Sequence, residues 1–150
     1  MQSGRDCWAV LANRARDTVI QRKQDLSTAL ARVEKLQMSR ARLTRLYDDY
    51  SCREAQAKAS ITTGAGVHHQ ANYRQFMGQL LALRQRVDQD IALAQSVVVQ
   101  QRASLIEAEI ETRKMEALVE GDRRTALAKK SKQEQRQTDA IAIARFNAQP

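Results

Sequence analysis

The chain is poor both in the residues that build a globular core and in those that interrupt helices. Aromatic residues make up 4% of its 150 residues, and it contains five glycines and one proline. Few bulky side chains, set against many strong helix formers, indicate extended helices rather than a compact core. No apolar run approaches the roughly 18 residues that a membrane-spanning helix needs.

Cysteine is also scarce. Cys7 and Cys52 are the only two, and they lack the spacing of metal ligands. The N-terminal sequence MQSGRDCWAV has no apolar segment of the kind that a signal peptide carries. We therefore expect a cytoplasmic protein with reduced thiols.

The charge is unbalanced, with 25 basic against 17 acidic residues and a net charge of +8. Such an excess attracts acidic surfaces and says nothing about the fold. The basic residues are spread along the chain and are not interleaved with the aromatic residues that nucleic-acid binding uses for base stacking. The pattern favours an acidic protein partner, and we expect no nucleic-acid partner.

Residues 8–59 contain no glycine or proline and carry a heptad pattern. Mostly apolar residues alternate at steps of three and four, which is typical of a coiled-coil seam. The a positions are Ala12, Val19, Leu26, Val33, Arg40 and Tyr47, and the d positions are Trp8, Ala15, Arg22, Ala29, Leu36, Leu43 and Tyr50. Arg22 and Arg40 interrupt the apolar pattern, and polar residues at such positions can help to fix the register.

A second apolar series follows the glycine-containing stretch ITTGAGVHHQ. Its members are Tyr73, Phe76, Leu80, Leu83, Val87, Ile91, Ala94, Val98, Leu105, Ala108, Met115 and Val119. The two consecutive steps of four from Leu83 to Ile91 predict a stutter, which would relax the supercoil locally.

Two apolar stripes separated by one short break must pack on each other, because neither can be left in water. The sequence predicts an all-α fold, a single domain over residues 1–150 in which two long helices form an antiparallel coiled-coil hairpin. We expect helix 1 over about 6–59, a turn over about 60–70 and helix 2 over about 71–146. In this register Tyr50 meets Phe76, Arg40 lies within reach of Asp88 or Asp90, and Trp8 faces Leu118.

Helix 2 outruns its partner in this arrangement, so the segment from about residue 120 is predicted to be unpaired. Gly121 marks the change, since glycine costs a helix roughly 1 kcal/mol relative to alanine. We expect this tail to be frayed alone and to become ordered on a partner.

Two residue pairs near the break could suggest chemistry. Gly64 and Gly66 could belong to a phosphate loop, but the Lys-Ser/Thr of a P-loop is missing. His68 and His69 could bind a metal, but no carboxylate or cysteine is near them in sequence. We interpret the glycines as a turn and the histidines as part of a solvated loop, and we expect no catalysis, metal or cofactor.

Three motifs together resemble the FliJ family of flagellar export proteins. They are Leu43-x-x-Leu46-Tyr47-x-x-Tyr50-x-x-Arg53, then Asn72-Tyr73-x-x-Phe76-x-x-x-Leu80, and the ending Asp139-Ala140-Ile141-Ala142-x-x-Arg145-Phe146. The similarity extends over nearly the whole length, including the order of helix, turn and helix.

The resemblance implies a stalk-like coiled coil of the flagellar type III export apparatus, located in the cytoplasm at the inner face of the cell membrane. Its partners would be the hexameric export ATPase (FliI-like), the export gate protein (FlhA-like) and export chaperones, for which it would serve as chaperone or escort. The implied gate-binding residues are Leu43, Leu46, Tyr47, Tyr50, Phe76, Leu80, Leu83 and Val87. The implied ATPase-binding residues are Lys129, Lys130, Lys132, Arg136, Asp139, Ile141 and Arg145.

Two alternatives remain open at this point. One is the equivalent stalk of a virulence injectisome, which has the same architecture. The other is a generic coiled-coil scaffold without a role in export, in which the aromatic residues would serve only as core.

Overall fold

The computed structural model describes the backbone of residues 3–60 and 66–150, and the side chains of residues 7–59 and 69–150. Helix α1 comprises Ser3–Ser60, 58 residues, and helix α2 comprises Gly66–Asn147, 82 residues. These described ranges contain no strand. The predicted all-α class with two long helices is therefore confirmed.

Helix α2 begins earlier than the sequence predicted. Residues 66–70 were expected in the turn, but they already belong to the helix. No described glycine has a positive φ, so nothing in the backbone of Gly66 requires a turn there. Gly64, the other glycine of the expected turn, lies outside the described residues.

The chain divides into two compact units, and each helix contributes to both. Unit 1 consists of Met1–Arg22 with Leu105–Pro150, and unit 2 consists of Lys23–Ser104. The expectation of a single domain over residues 1–150 stays a prediction.

In unit 2 the two helices pair in antiparallel orientation. Arg40 forms an ion pair with Asp88, as the predicted register required. The ring of Tyr50 contacts that of Phe76, which confirms the second predicted pair. As the residue number rises along α1, the number of its partner on α2 falls, and this order defines an antiparallel pair.

In unit 1 the two helices are joined by an ion pair in which Arg16 Nε donates a hydrogen bond of 2.9 Å to Glu116 Oε1. Ala12 is the most buried apolar residue of the described chain, at 2% exposure. The expected neighbour of Trp8, Leu118, is 42% exposed, whereas the next residue, Val119, is half-buried. Exposure alone does not identify the residue that Trp8 contacts, so this pair stays a prediction.

The seam along α2 differs from the prediction in one respect. Leu83 is 47% exposed, whereas Arg84 is half-buried and Met77 is buried. The buried or half-buried series therefore continues in alternating steps of four and three: Tyr73, Met77, Leu80, Arg84, Val87, Ile91, Ala94 and Val98. The predicted stutter was wrong, because an arginine whose aliphatic stem packs in the seam had been read as a surface residue.

The end of helix α2 agrees with the sequence, which predicted a helix to about residue 146; the structure ends it at Asn147. The helix passes through Gly121 without interruption, whereas the segment beyond it had been expected to be frayed. The segment after residue 120 is rich in strong helix formers, and ion pairs one turn apart support it. Glu120 pairs with Arg123 and Arg124, and Lys130 pairs with Glu134.

Candidate interaction surfaces

The first candidate surface is the aromatic cluster of unit 2, formed by Tyr47, Tyr50, Tyr73 and Phe76. The ring centroids of Tyr50 and Phe76 lie 4.8 Å apart at an interplanar angle of 60°, a tilted arrangement that aromatic rings favour. All four side chains are half-buried, because a seam between only two helices cannot enclose large rings. The aromatic cluster therefore packs the helix pair and also faces solvent.

Two guanidinium groups cover rings of the aromatic cluster. The Cζ atom of Arg53 lies 5.7 Å from the ring centroid of Tyr50, and that of Arg84 lies 5.8 Å from the ring centroid of Tyr47. Both distances fall within the range of cation–π attraction. Arg84 is not among the residues predicted from the sequence, although counting its aliphatic stem as apolar would have continued the heptad.

A cleft of about 370 Å³ lies beside the aromatic cluster and contains a buried acid. It is lined by Tyr50, Arg53, Glu54, Ala57, His69, Asn72, Tyr73 and Phe76. Glu54 is 7% exposed, and its Oε2 lies 3.6 Å from Nε2 of His69. His69 is solvated, as predicted, with a side chain that is 65% exposed, but it lies on α2 and not in a loop. Helix pairing brings to it a carboxylate that is distant in sequence.

The residues predicted to bind the export gate all lie in unit 2, but they differ in exposure. Leu80 is buried at 6% exposure, and Leu43, Tyr47, Tyr50, Phe76 and Val87 are half-buried. Leu46 and Leu83 are more accessible, at 38% and 47%. Leu81, which lies outside the predicted set, is 40% exposed. Leu46 and Leu83 are thus the apolar side chains of this set that a partner can reach most easily.

The second candidate surface is the tail, defined here as residues 127–150 of unit 1. Every tail residue is exposed. The tail includes all seven residues predicted to bind the ATPase: Lys129, Lys130, Lys132, Arg136, Asp139, Ile141 and Arg145. It also exposes three large apolar side chains that the predicted set omits: Leu127, Ile143 and Phe146.

Just before the tail, an ion-pair cluster stabilises the helix. Arg123 donates hydrogen bonds to both carboxylate oxygens of Glu120, at 2.9 and 2.7 Å, and Arg124 donates a third at 3.2 Å. These contacts, led by the hydrogen bonds from Arg123, lower the pKa of Glu120 to about 2. The same pairing raises the pKa of Arg123.

Within the described part of the chain, no group of three histidine, cysteine, aspartate or glutamate residues could hold a metal ion. No helix in these ranges is both long and apolar enough to cross a membrane. His68 belongs to α2, but its side chain lies outside the described residues.

These features define a helical protein in which two long helices pair antiparallel and expose apolar and basic side chains to solvent. The sequence model described as "Flagellar FliJ protein" matches residues 9–150, nearly the whole chain. The chain belongs to the FliJ family and is a component of the flagellar type III export apparatus. Neither a curated protein nor a solved structure matches it. The family match favours the flagellar interpretation over the injectisome and the generic scaffold.

Proposed function

We propose that the protein is a stalk that binds the hexameric flagellar export ATPase through its tail and the export gate through the surface around its aromatic cluster. The tail promotes assembly and activity of the ATPase ring. The protein also acts as a chaperone, or as an escort of export chaperones, and works at the inner face of the cell membrane.

The exposure of the tail is the observation that carries this proposal. The tail is a helix of more than 20 residues that buries none of its side chains. Helices in proteins are stabilised mainly by packing, so contacts with the rest of the protein contribute little to the stability of this segment. The tail nevertheless exposes Ile143 at 61% and Phe146 at 78%, next to a run of basic residues. Apolar and basic side chains displayed together fit an acidic protein surface with apolar pockets.

The gate contact is supported by the accessible apolar side chains of unit 2. Leu46 and Leu83 are exposed on the two helices of the pair, near the half-buried rings of the aromatic cluster. Rings packed only by two helices retain surface that a third element can cover.

The first experiment measures ATP hydrolysis and ring assembly by a flagellar export ATPase, with the full chain and with a chain lacking residues 127–150. We expect stimulation by the full chain and none by the shortened one, because the proposed contact residues are removed. Circular dichroism should show that the remaining helices persist. Equal stimulation by both chains would refute the role of the tail.

A second experiment tests the gate contact with the cytoplasmic part of an FlhA-like gate protein. The double substitution Leu46→Ala and Leu83→Ala should weaken binding by about tenfold or more, since accessible apolar anchors dominate interfaces. The matched control is Leu30→Ala with Leu93→Ala, two leucines of unit 2 that are 43% and 67% exposed and lie outside the predicted set. Equal losses in both double variants would contradict the proposed location.

A further inference from the structure

We infer that one face of the tail, the face that continues the heptad register of α2, binds an acidic amphipathic helix of the partner. This inference rests on the proposed function for the identity of the partner. It concerns which tail residues make the contact and what chemistry they require.

The register of the seam leads directly into the tail. In unit 1 the half-buried residues of α2 recur in steps of four and three, at Leu105, Ala108, Thr112, Met115, Val119, Asp122 and Ala126. Continuing the same steps gives Lys129, Gln133, Arg136, Ala140 and Ile143, which we call the seam face of the tail. Before residue 127 these positions pack in the helix pair; from residue 127 on they are exposed. The seam face is therefore an extension of an existing helix–helix interface.

Helix geometry separates the predicted ATPase-binding residues into two groups. With about 100° of rotation per residue, Lys129 and Arg136 share one side of α2, and Lys132 and Asp139 lie at its edge. Ile143, which the predicted set omits, lies on the same side as Lys129. Lys130, Ile141 and Arg145 lie on the far side of the helix, so the inference removes these three from the contact that the family resemblance implied. Lys130 is also within 4.0 Å of Glu134, so part of its charge is already balanced.

The charges of the seam face identify its occupant. Lys129 and Arg136 occupy positions that face a partner helix in a heptad, and one turn further the face becomes apolar at Ala140 and Ile143. A second copy of the chain would bring like charges together, which is destabilising. A helix with carboxylates opposite Lys129 and Arg136, and an apolar residue opposite Ile143, would complement both parts of the face.

The experiment compares two double substitutions that change the charge equally. Lys129→Glu with Arg136→Glu alters the seam face, and Lys130→Glu with Arg145→Glu alters the far side. Binding is measured to the export ATPase and to a designed helix with glutamates and a leucine placed to meet the seam face. We expect the seam-face variant to lose about tenfold or more in affinity for both probes, and the control about twofold or less.

A second matched pair tests the apolar part of the face. Ile143→Ala should weaken binding, and Ile141→Ala should not, although the two side chains are similarly exposed at 61% and 56%. All variants change exposed residues, so circular dichroism should show unchanged helix content.

The outcomes separate the inference from the proposed function. If the ATPase binds and both members of each pair weaken it equally, the inference is overturned and the proposed function stands. If the chain binds the designed helix through the seam face but does not bind the ATPase, the inference stands and the proposed function fails. If neither probe binds, both are overturned.

Discussion

Two stretches of α2, residues 73–98 in unit 2 and the tail in unit 1, share a heptad spacing. They differ in the residue types at the heptad positions. In unit 2 the spacing is filled by apolar residues and one arginine, and α1 covers them. In the tail it is filled by Lys129, Gln133, Arg136, Ala140 and Ile143, all exposed. The first stretch holds the protein together, and the second is available to a partner.

The difference shows that a regular helix does not require a packed face along its whole length. Good helix formers and ion pairs one turn apart carry α2 through Gly121 to Asn147. Burial, and not helicity, therefore separates the part of α2 that stabilises the fold from the part that is free to bind. The following changes test that separation, from the largest expected effect to the smallest.

Leu80→Ala should produce the largest loss of stability, about 2–3 kcal/mol in the free energy of unfolding, because it removes a buried side chain from the seam. Urea denaturation followed by circular dichroism measures it. Leu83→Ala is the control: its side chain is 47% exposed, and the cost should stay below about 1 kcal/mol. Equal losses in the free energy of unfolding would contradict the placement of Leu80 inside the seam and Leu83 outside it.

Arg84→Ala should lower the free energy of unfolding by about 0.5–1 kcal/mol, since it removes a half-buried stem and the contact with the ring of Tyr47. Arg86→Ala, at an exposed position two residues away, should change it by less than about 0.5 kcal/mol. The same denaturation measurement serves both variants. An effect at Arg86 as large as that at Arg84 would contradict the packing of the Arg84 stem in the seam.

Gly121→Ala should strengthen the helix just before the tail by about 0.5–1 kcal/mol, because alanine is the better helix former and its Cβ would meet no atom within 4 Å. Hydrogen exchange of the amides around residue 121 reports this local change. Gly78→Ala has equally open surroundings and should slow exchange in unit 2 instead. Faster exchange around residue 121 in Gly121→Ala would indicate that Gly121 adopts a non-helical conformation that alanine does not favour.

The smallest effect concerns the pH dependence of Glu120. Its pKa is lowered from 4.5 to about 2, so its ion pairs contribute stability that is fully present above pH 4.5 and is lost as the pH falls through 2. An NMR titration of the Glu120 carboxyl group measures this pKa. In Arg123→Ala the pKa should move back towards 4.5. An unchanged pKa in that variant would exclude Arg123 as the main cause.

The sequence alone predicted the helices, their antiparallel pairing and the main contacts of unit 2, because apolar periodicity carries that information. From the register of the pair it predicted the contact of Tyr50 with Phe76, and a contact of Arg40 with Asp88 or Asp90, of which the structure shows Asp88. The predicted seam was wrong at Arg84, because a pattern of apolar residues does not include an arginine whose aliphatic stem is packed. The sequence also did not reveal the contact of His69 with Glu54, since the carboxylate comes close only when the helices pair.

The candidate surfaces were only partly accessible to sequence reasoning. Motif similarity selected Leu80 together with Leu83, but it could not tell that one is buried and the other exposed. In the tail it selected basic residues around the whole circumference of the helix. The half-buried positions of α2 before residue 127 show which side of the helix faces α1, and only this register separates Lys129 and Arg136 from Lys130 and Arg145.

The ion pair between Arg40 and Asp88 has a consequence for self-association. Arg40 falls at an a position of the heptad pattern read from the sequence; its side chain is 53% exposed, and within the chain a carboxylate of α2 meets it. If two copies aligned their α1 helices side by side in parallel, the same position would bring two guanidinium groups together. Repulsion between the two guanidinium groups would destabilise the two-chain arrangement. In the single chain, Asp88 pairs with the charge of Arg40 instead. One charged residue at the edge of the seam thus favours folding of the chain upon itself over pairing with its copies.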